Sequence, residues 1–433
     1  MSQVKQLPKI ALYLLAIAVL AYHLPRLYDR IAFEPINRTH IFYSPVSKRF
    51  VYTETVAEYD PKASEKAEDH HSNIVYKDQD GVYYDRLEFE RLLPFIYYRN
   101  MEIRGYMPIE IDGRTFDSEA IRGAREVMEL NARNLDGRKA PETIWPLFEV
   151  DPGQAALVFP DDRCRFTDDE LEFVNADYNR VDDELTARFS GALRDEGFLF
   201  PARHVAGKFT ILKPFDDGAF LVDAEGKLYS LKRYHGEPQV ERIPLPAGVV
   251  PRHIQTTDND RYRAMVLDTK GGIYLLGRAD NVLQRLDVEG YDADRMDFKI
   301  IFNPLYRTVT YSDETTIRAV AMDADFRTLS VYDHLMSCGV RTWKHELRDA
   351  IFPFRITMDA PETRMIAMRL QPSAYCFTLA PLVGLALLLP YARLRRIRLG
   401  SRTFWYIACL TVATGIYGLI SAFFIEEPAP TEK

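Results

Sequence analysis

The sequence is poor in the residues that build disulfide scaffolds and small metal sites. It has 4 cysteines among 433 residues, and no two of them form a Cys-x-x-Cys pair. A disulfide framework needs many cysteines in a short chain, and zinc and thioredoxin-type sites need the paired spacing. The cysteine content therefore argues against all three classes of protein.

Motifs that carry enzymatic chemistry are also missing. The sequence has no Gly-x-Ser-x-Gly elbow, no Gly-x-x-x-x-Gly-Lys-Ser/Thr loop, no Gly-x-Gly-x-x-Gly turn and no His-Glu-x-x-His pair. The nearest match is His345-Glu346-Leu347-Arg348-Asp349, where an aspartate replaces the second histidine and a solvated helix start is favoured. The sequence therefore predicts no catalytic, cofactor-binding or metal-ligating residue, and it indicates no cofactor.

Other polar segments favour surface roles. Asp69-His70-His71 lies in a charged, loop-like stretch with no partner identifiable from the sequence. Asp78-Gln79-Asp80-Gly81 fails as a calcium loop, because counting Gly81 as position six puts Tyr76 and Leu87 where acids are required. Neighbouring acids could serve a glycosidase, but they are expected by chance in a chain with 63 acids. These groups are Asp161-Asp162, Asp168-Asp169-Glu170 and Asp182-Asp183-Glu184.

The chain has an excess of acidic over basic side chains. With 55 Lys and Arg against 63 Asp and Glu, its formal net charge is −8. A nucleic-acid binder presents a basic face, so nucleic acid is not expected as a partner. A hydrophobic content of 47% is typical of a folded protein, and the length predicts two or more folding units.

Two long apolar segments near the end of the chain predict a transmembrane hairpin. Residues 370–392 and 403–425 each give 23 positions without a charge, and a span needs about 20 residues. The loop between them holds five arginines and no acid, which predicts a cytoplasmic location. The hairpin is assigned to residues 371–425, with an external tail at 426–433.

A shorter apolar segment lies near the N-terminus. Residues 10–25 are uncharged, and residues 1–28 are predicted to form a transmembrane anchor. A cleaved signal peptide is the alternative, because Ala16-Ile17-Ala18 and Val19-Leu20-Ala21 resemble cleavage sites. The chain would then have two spans instead of three. Either choice puts the bulk of the chain outside a bacterial inner (cytoplasmic) membrane, in the periplasm.

A repeat dominates the second half of the external part. Its copies are Phe220-Leu221-Val222-Asp223, Met265-Val266-Leu267-Asp268, Thr310-Tyr311-Ser312-Asp313 and Ile356-Thr357-Met358-Asp359. Each copy reads as a strand followed by a turn that begins with aspartate, and Gly226 and Gly271 suit tight hairpins. A period of 40 to 50 residues built of short strands is typical of propeller blades. Residues 204–370 are therefore predicted to form a propeller-like β-repeat domain, in a fold that is mainly β with some α.

Residues 29–203 are predicted to form a mixed α/β external domain. Hairpins are expected at residues 43–47 and at Asp80-Gly81. Helices are expected from Asp85 to Leu93 and from Asp183 to Glu196, the second with Asp182 as its N-cap. Residues 117–134 are compatible with a helix or with a pair of strands.

Several segments rich in Phe, Pro and Gly carry a resemblance to a known group of proteins. They are Leu92-Leu93-Pro94-Phe95-Ile96-Tyr97-Tyr98, Phe189-Ser-Gly-Ala192-Leu193, Gly197-Phe198-Leu-Phe200-Pro201 and Lys213-Pro-Phe-Asp216-Asp-Gly218. The chain resembles, over nearly its whole length, an uncharacterised bacterial family of membrane-anchored external proteins. That resemblance implies an association with ABC-type transporter components. It implies no established activity, so it assigns no site residues.

The sequence thus favours a non-enzymatic, membrane-anchored accessory or recognition protein of an envelope transport or assembly complex. Its expected partners are the membrane and a membrane protein such as a transporter permease or ATPase. The alternative is an envelope enzyme that acts on glycan through acidic residues of the external domain.

Cys164 and Cys338 are the cysteines outside the predicted spans. An oxidising compartment permits a disulfide between them, although the bond would have to join the two external domains. Two buried, unpaired thiols are the alternative that the sequence favours.

Overall fold

The computed structural model describes residues 2–33, 39–56, 74–358 and 360–426, with side chains from residue 8 onward. Within this part, the chain forms seven separate antiparallel sheets and nine α-helices. The fold is thus mixed α/β with many antiparallel sheets, whereas the sequence predicts a fold that is mainly β with some α. Asp69-His70-His71 lies outside the described residues.

The first sheet has three strands: β1 (His40–Tyr43), β2 (Phe50–Thr55) and β3 (Ile74–Asp78). The first two form the hairpin predicted around residues 43–47. The hairpin predicted at Asp80-Gly81 is reduced to a single bridge between Lys77 and Tyr83.

Short elements follow as far as residue 134. They are α2 (Arg86–Leu92), α3 (Tyr98–Ile103), β4 (Ile109–Ile111), β5 (Arg114–Phe116), α4 (Ser118–Ala124) and β6 (Glu126–Leu130). The predicted helix after Asp85 is confirmed, because the Asp85 carboxylate accepts a hydrogen bond from the Glu88 N–H at 2.7 Å and caps α2. Residues 117–134 combine both alternatives, since α4 is followed by β6 and a 3-10 turn at Ala132–Asn134.

A small sheet then packs on one helix. The elements are β7 (Asp162–Phe166), β8 (Leu171–Asn175), β9 (Arg180–Val181) and α5 (Asp183–Asp195). The predicted helix is confirmed with its cap, because Asp182 accepts a hydrogen bond from the Leu185 N–H at 3.0 Å. The helix ends just before Gly197. This residue has a φ of +78°, a left-handed conformation that glycine adopts without strain.

Three consecutive four-stranded meanders form the centre of the molecule. The first contains β10 (His204–Gly207), β11 (Ala219–Val222), β12 (Leu228–Tyr234) and β13 (Glu237–Ile243). The second contains β14 (Pro251–Thr256), β15 (Tyr262–Asp268), β16 (Ile273–Gly277) and β17 (Leu283–Arg285). The third contains β18 (Asp297–Phe302), β19 (Arg307–Ser312), β20 (Thr316–Met322) and β21 (Thr328–Leu335), and β6 pairs with β18 to make it five-stranded.

The first three copies of the sequence repeat fall on the second strand of each meander and on the turn that follows. In the second copy, the Asp268 Oδ1 atom accepts hydrogen bonds from the N–H groups of Lys270 and Gly272 at 2.8 and 2.7 Å. Asp223 and Asp313 accept backbone N–H groups of their own turns in the same way. The repeated aspartate therefore organises each turn by satisfying backbone donors.

The fourth copy does not form a meander. It lies on β22 (Phe354–Thr357), which pairs only with β23 (Arg369–Pro372) in a two-stranded sheet. Asp359, the turn residue of this copy, is outside the described residues. The β-repeat is thus three meanders instead of the predicted four copies.

The sheets stack face to face in an open row. Apolar side chains of β7, β8 and α5 pack against one face of the first meander, and its other face packs against the second meander. The second meander packs on the third, and the third packs on β1 and β2. Among the described residues no closed barrel and no closed ring of blades is present. Three of these cores contain residues from both predicted external domains, residues 29–203 and residues 204–370.

The remaining helices form a bundle, here called the helical cluster. Its members are α1 (Ser2–Ala32), α6 (Trp343–Ile351), α7 (Leu379–Leu394), α8 (Arg402–Thr414) and α9 (Ile416–Ile425). Residues Pro8–Ala32 of α1 are long and apolar enough to cross a membrane. The helices α7 and α9 are apolar but contain only 16 and 10 residues.

The last apolar segment differs from the single span predicted over residues 403–425. It is broken at Gly415, whose φ of +57° ends α8 and starts α9 in a new direction. A side chain at this position would be strained, and its Cβ would lie 2.9 Å from the Pro353 ring. The segment therefore folds back on itself as two short helices.

Contacts at the end of α9 show how far it folds back. Glu426 accepts hydrogen bonds from Lys9 at 2.9 Å and from the Tyr13 hydroxyl at 2.7 Å, and its carbonyl accepts one from Arg395. At the opposite end of the helical cluster, the Tyr417 hydroxyl donates to the Phe354 carbonyl of β22 at 2.6 Å. Glu426 thus lies beside the arginine-rich loop, whereas the sequence places residues 426–433 on the other side. Residues 427–433 lie outside the described part of the chain.

The turn aspartates provide a test of this account of the repeat. We expect Asp268→Ala to destabilise the chain by about 1–3 kcal/mol, because it removes two hydrogen bonds to backbone N–H groups of a partly exposed turn, each contributing about 0.5–1.5 kcal/mol. Asp268→Asn keeps the Oδ1 acceptor and is the matched control. Thermal unfolding of the full chain in mild detergent should give a lower Tm for the alanine variant than for the asparagine variant. Equal losses in the two variants would contradict the assigned role.

The cysteines provide a second test. Cys164 is buried, with its thiol 3.2 Å from the Trp145 carbonyl, and Cys338 is exposed, so no disulfide joins them and only one of the two expected thiols is buried. Burial also raises the pKa of the Cys164 thiol. We expect a thiol reagent to label Cys338 in the folded chain and Cys164 only after unfolding, as read by peptide mass mapping. Labelling of Cys164 in the folded chain would contradict this core.

Candidate functional site

The first strands of the three meanders carry polar residues at equivalent positions. His204 pairs with Val222, His253 with Leu267, and Asp297 with Ser312. Each of these partners directly precedes the aspartate of a turn in the repeat. The three polar residues therefore occupy the same place in consecutive sheets, and the stacking brings them to one side of the row.

A loop that follows β6 crosses this side of the row. At its start, the Ala132 N–H donates to the Asp297 carboxylate at 3.2 Å. Further along the loop, the half-exposed Asp136 carboxylate contacts Nδ1 of His204 and lies 3.5 Å from Nδ1 of His253. The loop thus brings one carboxylate to two imidazoles that belong to different sheets.

The hydrogen bonds of His204 define its tautomer. Its Nε2 atom accepts a hydrogen bond from the backbone N–H of Ile254 at 3.2 Å. Nδ1 must then carry the proton of the neutral ring and donate it to Asp136. In this state both nitrogens of His204 are occupied, so the ring is not a general base for an external substrate.

His253 stands in contrast to His204. Only 4% of its surface is exposed, and neither ring nitrogen makes a hydrogen bond in the described part of the chain. A buried polar group without a hydrogen bond is costly, and each such group calls for an explanation. Burial lowers the pKa of His253, which favours the neutral ring.

The charge state of Asp136 complements the imidazoles. Burial alone would raise the pKa of its carboxyl group, but the neighbouring imidazoles of His204 and His253 outweigh this effect and lower the pKa. The site thus combines an ionised carboxylate with two nitrogen donors, and one such atom from each residue lies within 4.8 Å of the others. Carboxylate oxygen and imidazole nitrogen are ligands that zinc and similar divalent ions use in proteins.

The three residues line a groove of about 350 Å³ between the first two meanders. Lys139 and Arg203 also line this groove, together with polar groups of Gln255 and Thr256. Glu142 lines the groove as well, with its carboxylate 3.4 Å from Lys139 Nζ, so a negative charge accompanies that lysine. The site is open to small solutes on one side.

The segment His345–Asp349 has a structural role in helix α6. The His345 Nδ1 atom accepts the Thr342 N–H at 3.0 Å at the start of the helix. Glu346 accepts a hydrogen bond from the Tyr375 hydroxyl at 2.7 Å. Both residues therefore hold α6 in place.

The acidic segments of the external part also have structural partners. Asp78 accepts the N–H groups of Asp80 and Val82 in a tight turn, at 3.0 and 2.9 Å. Asp162 binds the Arg233 guanidinium at 3.0 and 2.8 Å, and Asp182 caps α5. These contacts give structural roles to three of the acids that the sequence analysis considered as possible functional residues.

Reasoning from the sequence missed the Asp136, His204 and His253 site. The three residues are far apart in the chain and match no motif of local spacing. One signal was present, because His204 and His253 each stand at the start of a repeat and precede its turn aspartate by 19 and 15 residues. The aspartate that completes the site lies outside the repeat, so no periodicity could find it.

The fold and the site define a class of protein in which an open row of antiparallel meanders is joined to a cluster of apolar helices. Residues 40–322 match the model of a family described as a domain of unknown function, DUF4857. The chain belongs to this family, which confirms the expectation of an uncharacterised family. No curated protein matches the chain.

Proposed function

We propose that this chain is a non-enzymatic accessory or recognition protein, anchored in a bacterial inner membrane with its stacked sheets in the periplasm. The observation that supports this proposal is that the molecule consists of two parts, the stacked sheets and the helical cluster. The stacked sheets lie at one end of the helical cluster, and the arginine-rich loop lies at the other. Such a separation suits a chain with one end in the cytoplasm and the bulk outside.

The surface of the helical cluster supports its placement in a membrane. On α1, the side chains of Leu14 and Leu15 are 65% and 63% exposed, and Ile31 is 78% exposed. Near the end of the cluster that faces the sheets, Trp343 and Phe377 are 65% and 93% exposed. Aromatic side chains favour the headgroup region of a bilayer, so these two residues suit the external interface.

Packing of α1 supports an anchor that is retained, instead of a cleaved signal peptide. Ile17 and Ala21 are buried against Tyr417 of α9 and Phe352. Tyr28 donates a hydrogen bond to the Lys344 carbonyl at 2.8 Å. Removal of α1 would expose this apolar surface and leave Glu426 without its partners Lys9 and Tyr13.

A propeller-like relation among the meanders is part of the proposal. Three consecutive meanders pack face to face, and the first strands of the first two, β10 and β14, lie together, as in neighbouring blades of a propeller. Open rows of this kind present grooves and loops to a partner. The net charge of −8 argues against nucleic acid as that partner.

The partner that we propose is another membrane protein, such as the permease or ATPase of an ABC-type transporter. The support for it is the resemblance drawn from the sequence, together with the exposed apolar face of α1. The alternative function, cleavage of glycan by acids of the external domain, needs two carboxylates that flank a sugar. Asp162 and Asp182 are engaged in structural contacts, which favours the accessory role.

Co-purification tests the accessory role. We expect the tagged full chain, extracted from native membranes in mild detergent, to bring down a transporter permease or ATPase in stoichiometric amount. The control is the same procedure on cells that express the chain without the tag. Isolation of a monomer that cleaves glycan would contradict the accessory role and support the enzyme.

Reporter fusions test the orientation. A reporter that is active only outside the cytoplasm should work after Asp223 and should be silent in the loop at Gly400. We expect it to be silent after Lys433 as well, because Gly415 turns α9 back toward the arginine-rich loop. Activity after Lys433 would favour the continuous span that the sequence suggested, and activity at Gly400 would overturn the orientation.

A further inference from the structure

We propose that Asp136, His204 and His253 bind one divalent transition-metal ion, for which Zn²⁺ is the best match. The inference is independent of the membrane role proposed above, because it rests only on groups of the stacked sheets and of the loop after β6. The three residues supply one carboxylate oxygen and two imidazole nitrogens, a set that suits zinc better than magnesium or calcium.

The spacing of one donor pair, on Asp136 and His253, fits a tetrahedral ion, whereas Nδ1 of His204 lies at hydrogen-bonding distance from the other carboxylate oxygen. Two ligands that each lie about 2.1 Å from zinc at the tetrahedral angle are about 3.4 Å apart. Nδ1 of His253 and Oδ1 of Asp136 are separated by 3.5 Å, which exceeds the length of a strong hydrogen bond. The two atoms therefore stand at the distance of neighbouring ligands instead of hydrogen-bond partners.

The state of His253 is a second, independent observation. Its side chain is buried, faces Asp136 and has no hydrogen bond at either nitrogen within the described part of the chain. An apolar side chain would fill the same volume without this cost, since a buried unsatisfied donor or acceptor typically costs about 1–3 kcal/mol. A metal bond at Nδ1 supplies a partner for that nitrogen and leaves the proton of the neutral ring on Nε2, which has no acceptor among the described residues.

Binding would change the tautomer of His204. Its Nδ1 proton, now directed at Asp136, must move to Nε2 so that Nδ1 can bind the ion. The Ile254 N–H then loses its acceptor, a contact of 3.2 Å. The imidazole ring keeps the same number of protons. Loss of the long hydrogen bond from Ile254 lowers the affinity of the site for the metal ion.

The ion would join three parts of the chain that are distant in sequence. His204 begins β10 of the first meander, His253 lies in β14 of the second, and Asp136 lies on the loop that crosses both. The fourth coordination position would face the groove, where it would be open to water or a small solute. The ion therefore has a structural role and leaves one position open to solute.

Titration of the full chain with zinc tests the proposal. The tag is removed, the protein is stripped with a chelator in mild detergent, and Zn²⁺ is added while calorimetry and elemental analysis record binding. We expect one Zn²⁺ per chain and a Tm that rises by about 2 °C or more under saturation. Absence of stoichiometric binding would overturn the proposal.

Two variants separate this site from binding at the surface. Asp136→Asn changes a half-exposed side chain, so the fold should survive, and we expect zinc affinity to fall by at least tenfold. His235→Ala is the matched control, because His235 also lies near a carboxylate, at 3.7 Å from Asp151, but no third ligand joins them among the described residues. Its affinity should equal that of the unmodified chain. Equal affinity in the unmodified chain and Asp136→Asn would overturn the assignment.

A spectroscopic measurement keeps the test independent of folding. The amide resonance of Ile254 should shift on addition of Zn²⁺, because its acceptor on His204 is lost. The Tm of the stripped Asp136→Asn variant, compared with that of the stripped His235→Ala variant, reports whether the chain remains folded. An unchanged Ile254 resonance at saturating zinc would exclude His204 as a ligand and overturn the proposed set.

Discussion

Burial of both faces of the meander sheets is the constraint on which the rest of the structure depends. In β11, all four residues are buried, with Leu221 facing the sheet of β7 and β8, and Phe220 and Val222 facing the second meander. In β15, Val266 faces back to the first meander, and Met265 and Leu267 face the third. Because side chains alternate along a strand, a sheet of this kind needs an apolar neighbour on each side. Face-to-face stacking in a row follows from that need.

The repeat could be read from the sequence because its turns have local chemistry. An aspartate that accepts backbone N–H groups leaves the same signature wherever it occurs, and Asp223, Asp268 and Asp313 are spaced 45 residues apart. The caps of α2 and α5 were predictable for the same reason, since Asp85 and Asp182 act on residues three positions away. Turns and caps of this kind depend only on residues a few positions apart, so they can be predicted from the sequence alone.

Features that depend on distant contacts could not be predicted in this way. The fourth copy of the repeat has the strand pattern, but its residues 356–358 lie next to the helical cluster, where β22 contacts α1 instead of a further meander. The segment 403–425 has the length and apolarity of a span, and its turn depends on the conformation of one glycine among tightly packed helices. In both segments the sequence shows only that the residues are apolar. The path that the chain takes depends on tertiary packing.

The candidate site follows from the stacking and not from any local pattern. Equivalent positions of consecutive meanders come together because the sheets are in register, and the loop after β6 then supplies Asp136 from outside the repeat. The same loop continues to Arg138, whose carbonyl accepts hydrogen bonds from the Arg364 N–H and the Thr363 hydroxyl, both at 2.8 Å. Residues 363 and 364 belong to the segment that leads through β23 into the helical cluster. One loop therefore contacts the first strands of all three meanders and the chain segment that connects them to the apolar helices, so the position of Asp136 depends on both parts of the molecule.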